Sequence, residues 1–351
     1  AALPAVDAAH QPVWDKLLRF TGNKTRSELM TDLGLGKRIA SIVAKRLMVC
    51  PTPRGVATKM RRLPQLSRGC RFRRQRPRQP ASISAYKSHN MIFEYFCLTD
   101  PGLVRDNNED SVSLDPENQI AVLADGMGGY NAGEVASAMA TTFIKTELGR
   151  WMSEGGHEAS ARELKRAMEI CIDNANRSIF NAANSNAQYA GMGTTLVMGV
   201  FHGTRAMIGH VGDSRCYRLR EGNFMQITRD HSLLQEQIDA GLISLEQAQY
   251  ATHKNLVTRA LGVEDTVLLE VNEYRVEDED LYLFCSDGLS DMMSDERIAA
   301  ILVTAGTLEE KAQALVDAAN DAGGRDNISV ILAYARSRPV RKGLLSRMLG
   351  K

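Results

Sequence analysis

The sequence predicts an α+β layered sandwich, a fold in which sheets and helices form separate layers. From residue 91 onward, short runs rich in β-branched residues alternate with longer amphipathic stretches, and some strand runs follow each other closely enough to form hairpins. This order favours antiparallel sheets covered by helices over a doubly wound parallel sheet. The predicted strands are Ile92–Leu98, Ile120–Ala124, Thr195–Phe201, Arg205–Val211, Ser214–Arg220, Leu281–Cys285 and Ile328–Tyr334. The predicted helices span 132–152, 160–184, 231–240, 244–250, 295–303 and 308–321.

The composition is typical of a soluble globular protein, because 44% of the 351 residues are hydrophobic and 24% are charged. The six cysteines include no C-x-x-C pair, which disfavours both a disulfide framework and a cysteine zinc site. No apolar run approaches the roughly 18 residues of a membrane span, and the N-terminus lacks the apolar core of a signal peptide. These features predict a soluble protein of the reducing cytoplasm.

Charge is unevenly distributed along the chain. Residues 1–90 contain 19 Lys+Arg and 4 Asp+Glu, and residues 336–351 contain six basic residues and no acid. The middle of the chain, 91–335, therefore holds 18 basic and 38 acidic residues. An acidic excess of this size favours cation binding.

The two ends of the chain differ from the middle in pattern as well as in charge. Residues 1–50 are predicted to form a small basic helical segment of unknown role, and the Arg-, Pro- and Ser-rich stretch 51–90 a disordered basic linker. The Arg clusters could contact nucleic acid, but they lack interleaved aromatic residues and any known binding motif. In a simpler interpretation, the functional unit starts at Met91 and the residues before it have no role in function. The basic tail 337–351 could touch anionic lipid as a short amphipathic helix or be a solvated chain end. No firm nucleic-acid or membrane partner follows.

Acidic residues come directly after largely apolar strands, where an unpaired charge is costly. The runs IAVLAD, AMIGHVGD and LYLFCSD end at Asp125, Asp213 and Asp287. Glycine follows at Gly126 and Gly288, which leaves room for backbone and water to approach. Several desolvated carboxylates in one place must either bind protons or hold a cation. The other acids of this set are Glu109 and Asp110 in RDNNED and Asp326 in GGRDN.

The ligand types predict Mg²⁺ or Mn²⁺ rather than zinc. All of these groups are oxygen donors, and the motifs contain no Cys or His ligand. Two such ions can share a water, lower its pKa and hold phosphoryl oxygens, so hydrolysis is the natural chemistry. Arg105 lies four residues before Glu109, and its guanidinium could bind a phosphate through two hydrogen bonds.

Eight stretches in the middle of the chain resemble one known family in their order and spacing. They are GLVRDNNEDS, VLADGMGGYNAGEVAS, GMGTTLV, HVGDSRCYR, ITRDHSL, NLVTRALG, CSDGLSD and GGRDNISVIL. With them, residues 95–335 resemble the PPM family, the metal-dependent type 2C protein serine/threonine phosphatases, especially the bacterial members. The resemblance implies a four-layer αββα sandwich of two mainly antiparallel sheets flanked by helices. It also implies a phosphatase domain at 91–336 with a flap at about 228–262 beside the active site.

The resemblance further implies a centre that holds two ions. In this interpretation Asp125 bridges both ions, and it is a catalytic residue together with Asp287 and the phosphate-binding arginine. Glu109 and the Gly126 carbonyl complete one ion's ligands, while Asp287 and Asp326 complete the other's.

Three further roles are implied outside the two-ion set. Asp110 orients water at the ions, and Arg105 binds the substrate phosphate. Asp213 and Asp291 join Asp287 in a third, weaker metal site. For Asp110 and Asp213, the alternative is a structural role as a carboxylate in a turn or a helix cap.

Met127 departs from the family pattern. Many eukaryotic members have His at this position, where it is thought to protonate the leaving alkoxide, and a thioether cannot donate a proton. No general acid is therefore assigned. His231 could take the role or be a local hydrogen-bonded group. The apolar residues of the flap could pack it down or contact substrate; they are Leu233, Leu234, Ile238, Leu242 and Leu245.

Two features of the sequence bear on rival functions. The segment from Cys171 to Ser178 satisfies the C-x5-R-S pattern of cysteine-dependent phosphatases, but it has no Gly and continues a helical periodicity, so a buried helix cysteine is expected. A catalytically weak phosphatase-fold scaffold would be expected to have lost ligands, and none is replaced. The expected partners are phosphoproteins, namely serine/threonine kinases and their substrates, with the chain acting as a monomer.

Overall fold

The computed structural model describes residues 91–129, 132–248 and 256–337. All of these residues belong to one compact unit. The predictions for the helical segment at 1–50, the linker at 51–90, the tail beyond Ser337 and part of the flap lie outside the described residues. Among the described helices, none combines the length and the apolar character that a membrane crossing requires.

The first sheet has five antiparallel strands in the order β1-β11-β10-β7-β8. β10 and β11 lie at its centre and are buried along almost their whole length, which explains their continuous apolar sequences. The strands are β1 (Met91–Asp100), β7 (Arg215–Arg220), β8 (Asn223–Gln226), β10 (Leu281–Cys285) and β11 (Ile328–Ser337).

The second sheet has the order β2-β3-β5-β6-β9, and the short β4 pairs with the end of β3. Its pairings are also antiparallel. The strands are β2 (Asp110–Asp115), β3 (Ile120–Met127), β4 (Gly193–Thr194), β5 (Leu196–His202), β6 (Arg205–Val211) and β9 (Glu270–Arg275).

Helices cover the outer faces of both sheets. Two of them begin at capping boxes: Ser160 and Glu163 satisfy each other's backbone N–H groups at one, and Thr307 and Glu310 do so at the other. The helices are α1 (Ala132–Ser153), α2 (Ala161–Ser185), α3 (Leu233–Asp239), α4 (Leu245–Ala248), α5 (Asp287–Ser290), α6 (Asp295–Leu302) and α7 (Leu308–Asp321).

Three apolar clusters join these layers. The middle cluster lies between the sheets and contains Phe93, Leu123, Phe201 and Phe284. The second packs α1 and α2 on the second sheet, and the third packs α5, α6 and α7 on the first. The four-layer αββα sandwich implied by the family resemblance is thereby confirmed.

The structure adds elements that the sequence patterns did not predict, namely β2, β4, β8, β9 and α5. β2, β8 and β9 are edge strands with many partly exposed polar residues, so they contain no apolar run. β4 has only two residues and α5 only four, too few for a periodicity to show. β11 extends to Ser337, one residue beyond the predicted end of the domain.

Candidate metal centre and active site

The acids of the second sheet meet where β2 and β3 pair. β2 begins at Asp110, which lies directly opposite Asp125 near the end of β3. Gly126 donates its N–H to the carbonyl of Glu109 over 3.1 Å. A Cβ at Gly126 would lie 2.1 Å from the carbonyl oxygen of Gly133 in α1, so only glycine permits this close approach. The sheet edge and α1 therefore form a tight cradle around the three acids.

The first sheet contributes Asp287 and Asp326 at the same end of the sandwich. Asp287 is the first residue of α5 and follows Cys285, the last residue of β10, by two positions. Asp326 lies two positions before β11 begins. Because β10 and β11 are antiparallel neighbours, the end of one strand and the start of the other lie side by side. The two aspartates are thus brought together by the centre of the sheet.

Asn327 fixes the loop that carries Glu109. Its Oδ1 accepts the Glu109 N–H at 2.8 Å, and its Nδ2 donates to the carbonyls of Asn107 and Pro101 at 2.9 and 3.0 Å. Asn327 is itself buried, so each of these bonds is protected from water. This one side chain holds the 101–109 loop against the start of β11.

Ser286 joins the two sheets beneath the acids. Its hydroxyl donates to Asp110 Oδ2 over 2.8 Å and accepts the backbone N–H of Ser329 over 3.0 Å. Both Ser286 and Ser329 are fully buried. Asp110, from the second sheet, is therefore held by a residue of the first.

Several carboxyl groups of the cluster have raised pKa values. Burial is the main cause, and repulsion from neighbouring carboxylates adds to it, so the pKa values of Asp125 and Asp287 lie well above their usual range. Burial also raises the pKa of Asp110 to about 7 and that of Asp213 to about 6. Such a cluster strongly favours an added positive charge.

The residues present fit a pair of hard divalent cations. All of the donors are oxygens, the ligand type that Mg²⁺ and Mn²⁺ prefer. Within the described part of the chain, Asp110 Oδ1 is buried and accepts no hydrogen bond, as expected for an atom that faces an ion-bound water. The residues that could hold the ions are Glu109, Asp125, the Gly126 carbonyl, Asp287 and Asp326.

Arg105 lies at the rim of this cluster. Its Nη2 donates to Asp326 Oδ2 over 2.7 Å, while 51% of its side chain is exposed. The ion pair aims the guanidinium at the acids without burying it. An incoming phosphate at the cluster would therefore meet a positive, planar donor.

Asp213 and Asp291 lie on the flap side of the centre. Together with Asp287 they line a cavity of about 220 Å³, and the Asp291 N–H donates to the Asp287 carbonyl over 2.7 Å. The facing wall comes from the flap helix α3, whose lining residues are Leu234, Gln235 and Ile238. Of the other predicted apolar flap residues, Leu233 and Leu242 are exposed and the side chain of Leu245 is outside the described set.

A partly buried ion pair lines the same cavity. Arg215 Nε donates to both carboxylate oxygens of Asp230 at 3.0 Å, and Nη2 donates to one of them at 2.7 Å. Arg215 Nη1 also donates to the hydroxyl of Tyr217 over 3.1 Å. The pair ties the start of the flap to β7.

Sequence reasoning missed the residues that hold the acids in place. Asn327, Ser286, Arg215 and Asp230 all lie inside the motifs quoted for the family resemblance, yet none was given a role. For Asn327 and Ser286 a signal was present, because each is a polar residue between a predicted ligand and a buried strand. For Arg215 and Asp230 no local signal exists, since the partners are 15 residues apart in different elements.

His231 lies apart from the acidic centre in a hydrogen-bonded cluster. Its Nδ1 accepts the Gly212 N–H over 3.2 Å, and its Nε2 faces a carboxylate oxygen of Glu270 at 3.4 Å. Its ring stacks on His210 at 4.6 Å between centroids and 16° between planes. Burial lowers the pKa of His231, which favours the neutral ring. These contacts favour the structural alternative for His231.

Cys171 does not have the surroundings of a nucleophile. It lies in the middle of α2 and is buried in the apolar cluster beneath that helix. Burial raises the pKa of its thiol to about 12, so the thiolate that this chemistry needs is disfavoured. The C-x5-R-S match is therefore a helical sequence coincidence.

Acids from both sheets thus converge at one end of an αββα sandwich, in a setting that fits divalent cations and is edged by an arginine. Fold and site together define a metal-dependent hydrolase. The family described as Protein phosphatase 2C matches residues 104–332. The chain belongs to the protein phosphatase 2C family, which confirms the resemblance drawn from the motifs.

Curated relatives agree with this family. The chain is 39% identical over 237 residues to the serine/threonine phosphatase stp of Listeria monocytogenes, an overlap that covers 67% of this chain and 92% of the relative. It is 36% identical over 263 residues to the serine/threonine protein phosphatase PstP of Mycobacterium tuberculosis. That overlap covers 73% of this chain and 49% of PstP, so this chain matches only about half of that relative.

Solved structures of the family match the fold. The Mycobacterium tuberculosis serine/threonine phosphatase PstP/Ppp superposes with a TM-score of 0.64 at 35% identity, covering 70% of this chain and 99% of that one. The catalytic domain of PstP in complex with two manganese ions superposes with a TM-score of 0.62 at 34% identity, covering 70% and 100%.

Proposed function

We propose that this protein hydrolyses phosphoserine and phosphothreonine in proteins by attack of water at a centre of two divalent cations, Mn²⁺ or Mg²⁺. The observation that carries the proposal is the meeting of Asp110 and Asp125 from one sheet with Asp287 and Asp326 from the other, beside Arg105. The relatives named above are serine/threonine phosphatases, and one of the matched structures holds two manganese ions.

Each acid has a proposed task in holding the ions. Asp125 would help to hold both ions, Glu109 and the Gly126 carbonyl would hold one of them, and Asp287 and Asp326 would hold the other. When bound, two such ions provide a nucleophilic water at neutral pH and neutralise charge on the phosphoryl group. Oxygen ligands do not choose strongly between Mg²⁺ and Mn²⁺.

Arg105 would orient the substrate phosphate. Its exposed guanidinium can donate two parallel hydrogen bonds to phosphoryl oxygens, while Asp326 holds it in position. Lysine would offer a point charge without this geometry. Arg105 therefore aligns the phosphorus for in-line attack.

Asp110 would position the attacking water. Its Oδ2 is held by Ser286, which leaves the buried Oδ1 to accept a hydrogen bond from that water. Met127, at the end of β3, cannot protonate the leaving alkoxide. The proton for that step must come from water at the centre or from another group, and no side chain is assigned to it.

A third, weaker cation site is proposed at Asp213, Asp287 and Asp291. These three carboxylates line one cavity together with residues of the flap helix, which supports the site. A site with so few protein ligands keeps several waters and binds its ion loosely. It would link occupancy of the centre to the position of the flap.

The proposed substrates are phosphoproteins, with serine/threonine kinases and their targets as partners, and the protein would act as a cytoplasmic monomer. The proposed catalytic unit is 91–336, extended by the last residue of β11. A chain truncated before Met91 should fold and keep its metal-dependent rate, and loss of that rate would place part of the N-terminal region in the catalytic unit.

The test is hydrolysis of a phosphothreonine peptide by the full chain with Mn²⁺, with Mg²⁺ and with excess chelator. The proposal predicts turnover with either ion that falls to background with chelator and returns when the ion is restored. A folded, metal-loaded protein that turns over neither the peptide nor a small phosphoester would instead be a phosphatase-fold scaffold.

A further inference from the structure

Two large apolar side chains are exposed immediately before the phosphate-binding arginine. Leu103 is 69% exposed and Val104 is 66% exposed, and Arg105 follows them directly. Among the exposed large apolar residues of the described part, they are the only two that are consecutive in sequence. Exposed apolar surface next to a binding group points to an interaction site.

The loop presents these side chains from a fixed backbone. Leu103 donates its N–H to the carbonyl of Gly324 over 2.7 Å, and Gly102 donates to Asp100 Oδ1 over 2.9 Å. Gly102 has a φ of +77°, and a Cβ there would lie 2.3 Å from the carbonyl oxygen of Asp326. A backbone this constrained loses little conformational freedom when a partner binds its side chains.

The occupant follows from the position of Arg105. A phosphorylated residue whose phosphate meets Arg105 must carry its own chain away across the rim of the site. Val104 and Leu103 are one and two residues from Arg105, so their Cα atoms lie within about 8 Å of its Cα. The side chains of Leu103 and Val104 are therefore close enough to Arg105 to contact residues next to the phosphorylated one.

We propose that Leu103 and Val104 form an apolar subsite that contacts aliphatic or aromatic residues flanking the phosphorylated residue of a protein substrate. The proposal rests on the proposed phosphatase function and specifies its substrate class: phosphoproteins whose target residue is flanked by apolar residues. Contacts of this kind add affinity for the flanking sequence without altering the metal centre.

The test compares the full chain with two double variants. Leu103→Ser with Val104→Ser removes the subsite, and Leu268→Ser with Val303→Ser is the matched control, because those side chains are 73% and 56% exposed. The substrates are two phosphothreonine peptides of equal length, one with Leu and Val at the two positions on either side and one with Gln and Ser there. Para-nitrophenyl phosphate with Mn²⁺ reports on the metal centre.

The wild type and the control are expected to prefer the apolar peptide in kcat/KM. In the Leu103→Ser, Val104→Ser variant, the ratio of kcat/KM for the apolar peptide to kcat/KM for the polar peptide should fall about tenfold. The change should come mainly from a higher KM for the apolar peptide, as expected for two lost apolar contacts. An equal preference in all three proteins, or no preference in the wild type, would overturn the subsite. A variant that changes from dimer to monomer on gel filtration while keeping its peptide preference would also overturn it, in favour of a contact between two copies.

Failure of the phosphatase function gives a different result. In that case the wild type with Mn²⁺ turns over none of the three substrates. If para-nitrophenyl phosphate is turned over and the peptide preference is absent, the function stands and the subsite alone is wrong.

Discussion

The acids of this protein are held in two different ways on the two sides of the centre. On one side, Asp110 and Asp125 are fixed between the ends of both sheets, with Asn327 and Ser286 as buried links. On the other, Asp213 and Asp291 face the flap helix α3, which has no fully buried residue of its own. The sheet side can hold charges at fixed distances, whereas the flap side can adjust to an ion or a substrate.

The largest expected effect comes from removing a charge that both sides share. Asp287→Asn deletes one unit of charge from the two-ion centre, and we expect turnover of a phosphopeptide to fall on the order of a thousandfold. The measurement is kcat at saturating Mn²⁺. Asp265→Asn, an exposed position in the described part, is the matched control and should behave like the wild type. A fully active Asp287→Asn protein would contradict this assignment.

On the sheet side, Asn327→Ala tests whether the buried links set the geometry. It leaves the Glu109 N–H and two loop carbonyls without their partner, so we expect the free energy of unfolding in urea to fall by about 3 kcal/mol. Affinity for Mn²⁺ should fall as well, because the Glu109 loop is released. Asn327→Asp keeps an oxygen acceptor for the Glu109 N–H and loses the amide donors. Its free energy of unfolding should therefore lie between those of the wild type and Asn327→Ala. Unchanged unfolding in both variants would show that the loop is held by other contacts.

The clustered charge also predicts how the stability of the metal-free protein depends on pH. The pKa of Asp110 is raised to about 7 and that of Asp213 to about 6, both above the value of about 3.9 for an unfolded Asp. The contribution of such groups is fully present below that unfolded value and is lost as pH rises through the folded pKa values. We therefore expect the chelated protein to melt at a lower temperature at pH 8 than at pH 5.

Calorimetric melting at the two pH values, with and without Mn²⁺, measures this effect. Added Mn²⁺ should raise the melting temperature more at pH 8, because it stabilises the ionised carboxylates. Asp110→Asn should reduce the difference between the two pH values. A chelated wild type that is as stable at pH 8 as at pH 5 would mean that the carboxylates do not repel each other as the structure implies.

The smallest effect is expected on the flap side. Asp213→Ala and Asp291→Ala should each lower phosphopeptide turnover by about tenfold, since a loosely held ion contributes less than a clamped one. Asp265→Ala, at the exposed control position used above, serves as the comparison. Unchanged kinetics in both folded Asp variants would exclude a catalytic role for the third site.

The sequence predicted the parts of this fold in which a local pattern and the tertiary structure agree. β3, β10 and β11 are buried on both faces and appear as apolar runs, and the acids at their ends stand out because a charge is costly there. Nearly all residues of the edge strands β2 and β9 are partly or fully exposed, and many of them are polar, so neither strand stands out as an apolar run. Their assignment depends on pairing with β3 and β6, which no short stretch of sequence records.

The residues of the site also fall into those that could be predicted from the sequence and those that could not. Its acids could be predicted from position and from family resemblance, but the residues that hold them could not be predicted from spacing alone. Asn327 binds a loop more than 200 residues away in sequence, and Arg215 meets Asp230 only because β7 and the start of the flap are adjacent in space. Such partners can be identified only from the three-dimensional structure.

The most direct test of the account is the Mn²⁺ stoichiometry of Asp125→Asn beside that of Asp213→Ala, measured by titration calorimetry on the metal-free full chain. Asp125 is proposed to hold both ions of the two-ion centre, and Asp213 to serve only the third site. The account predicts that Asp213→Ala keeps two tight binding events and loses the weak one, while Asp125→Asn loses tight binding of both ions. Two tight events retained in a folded Asp125→Asn protein would contradict it.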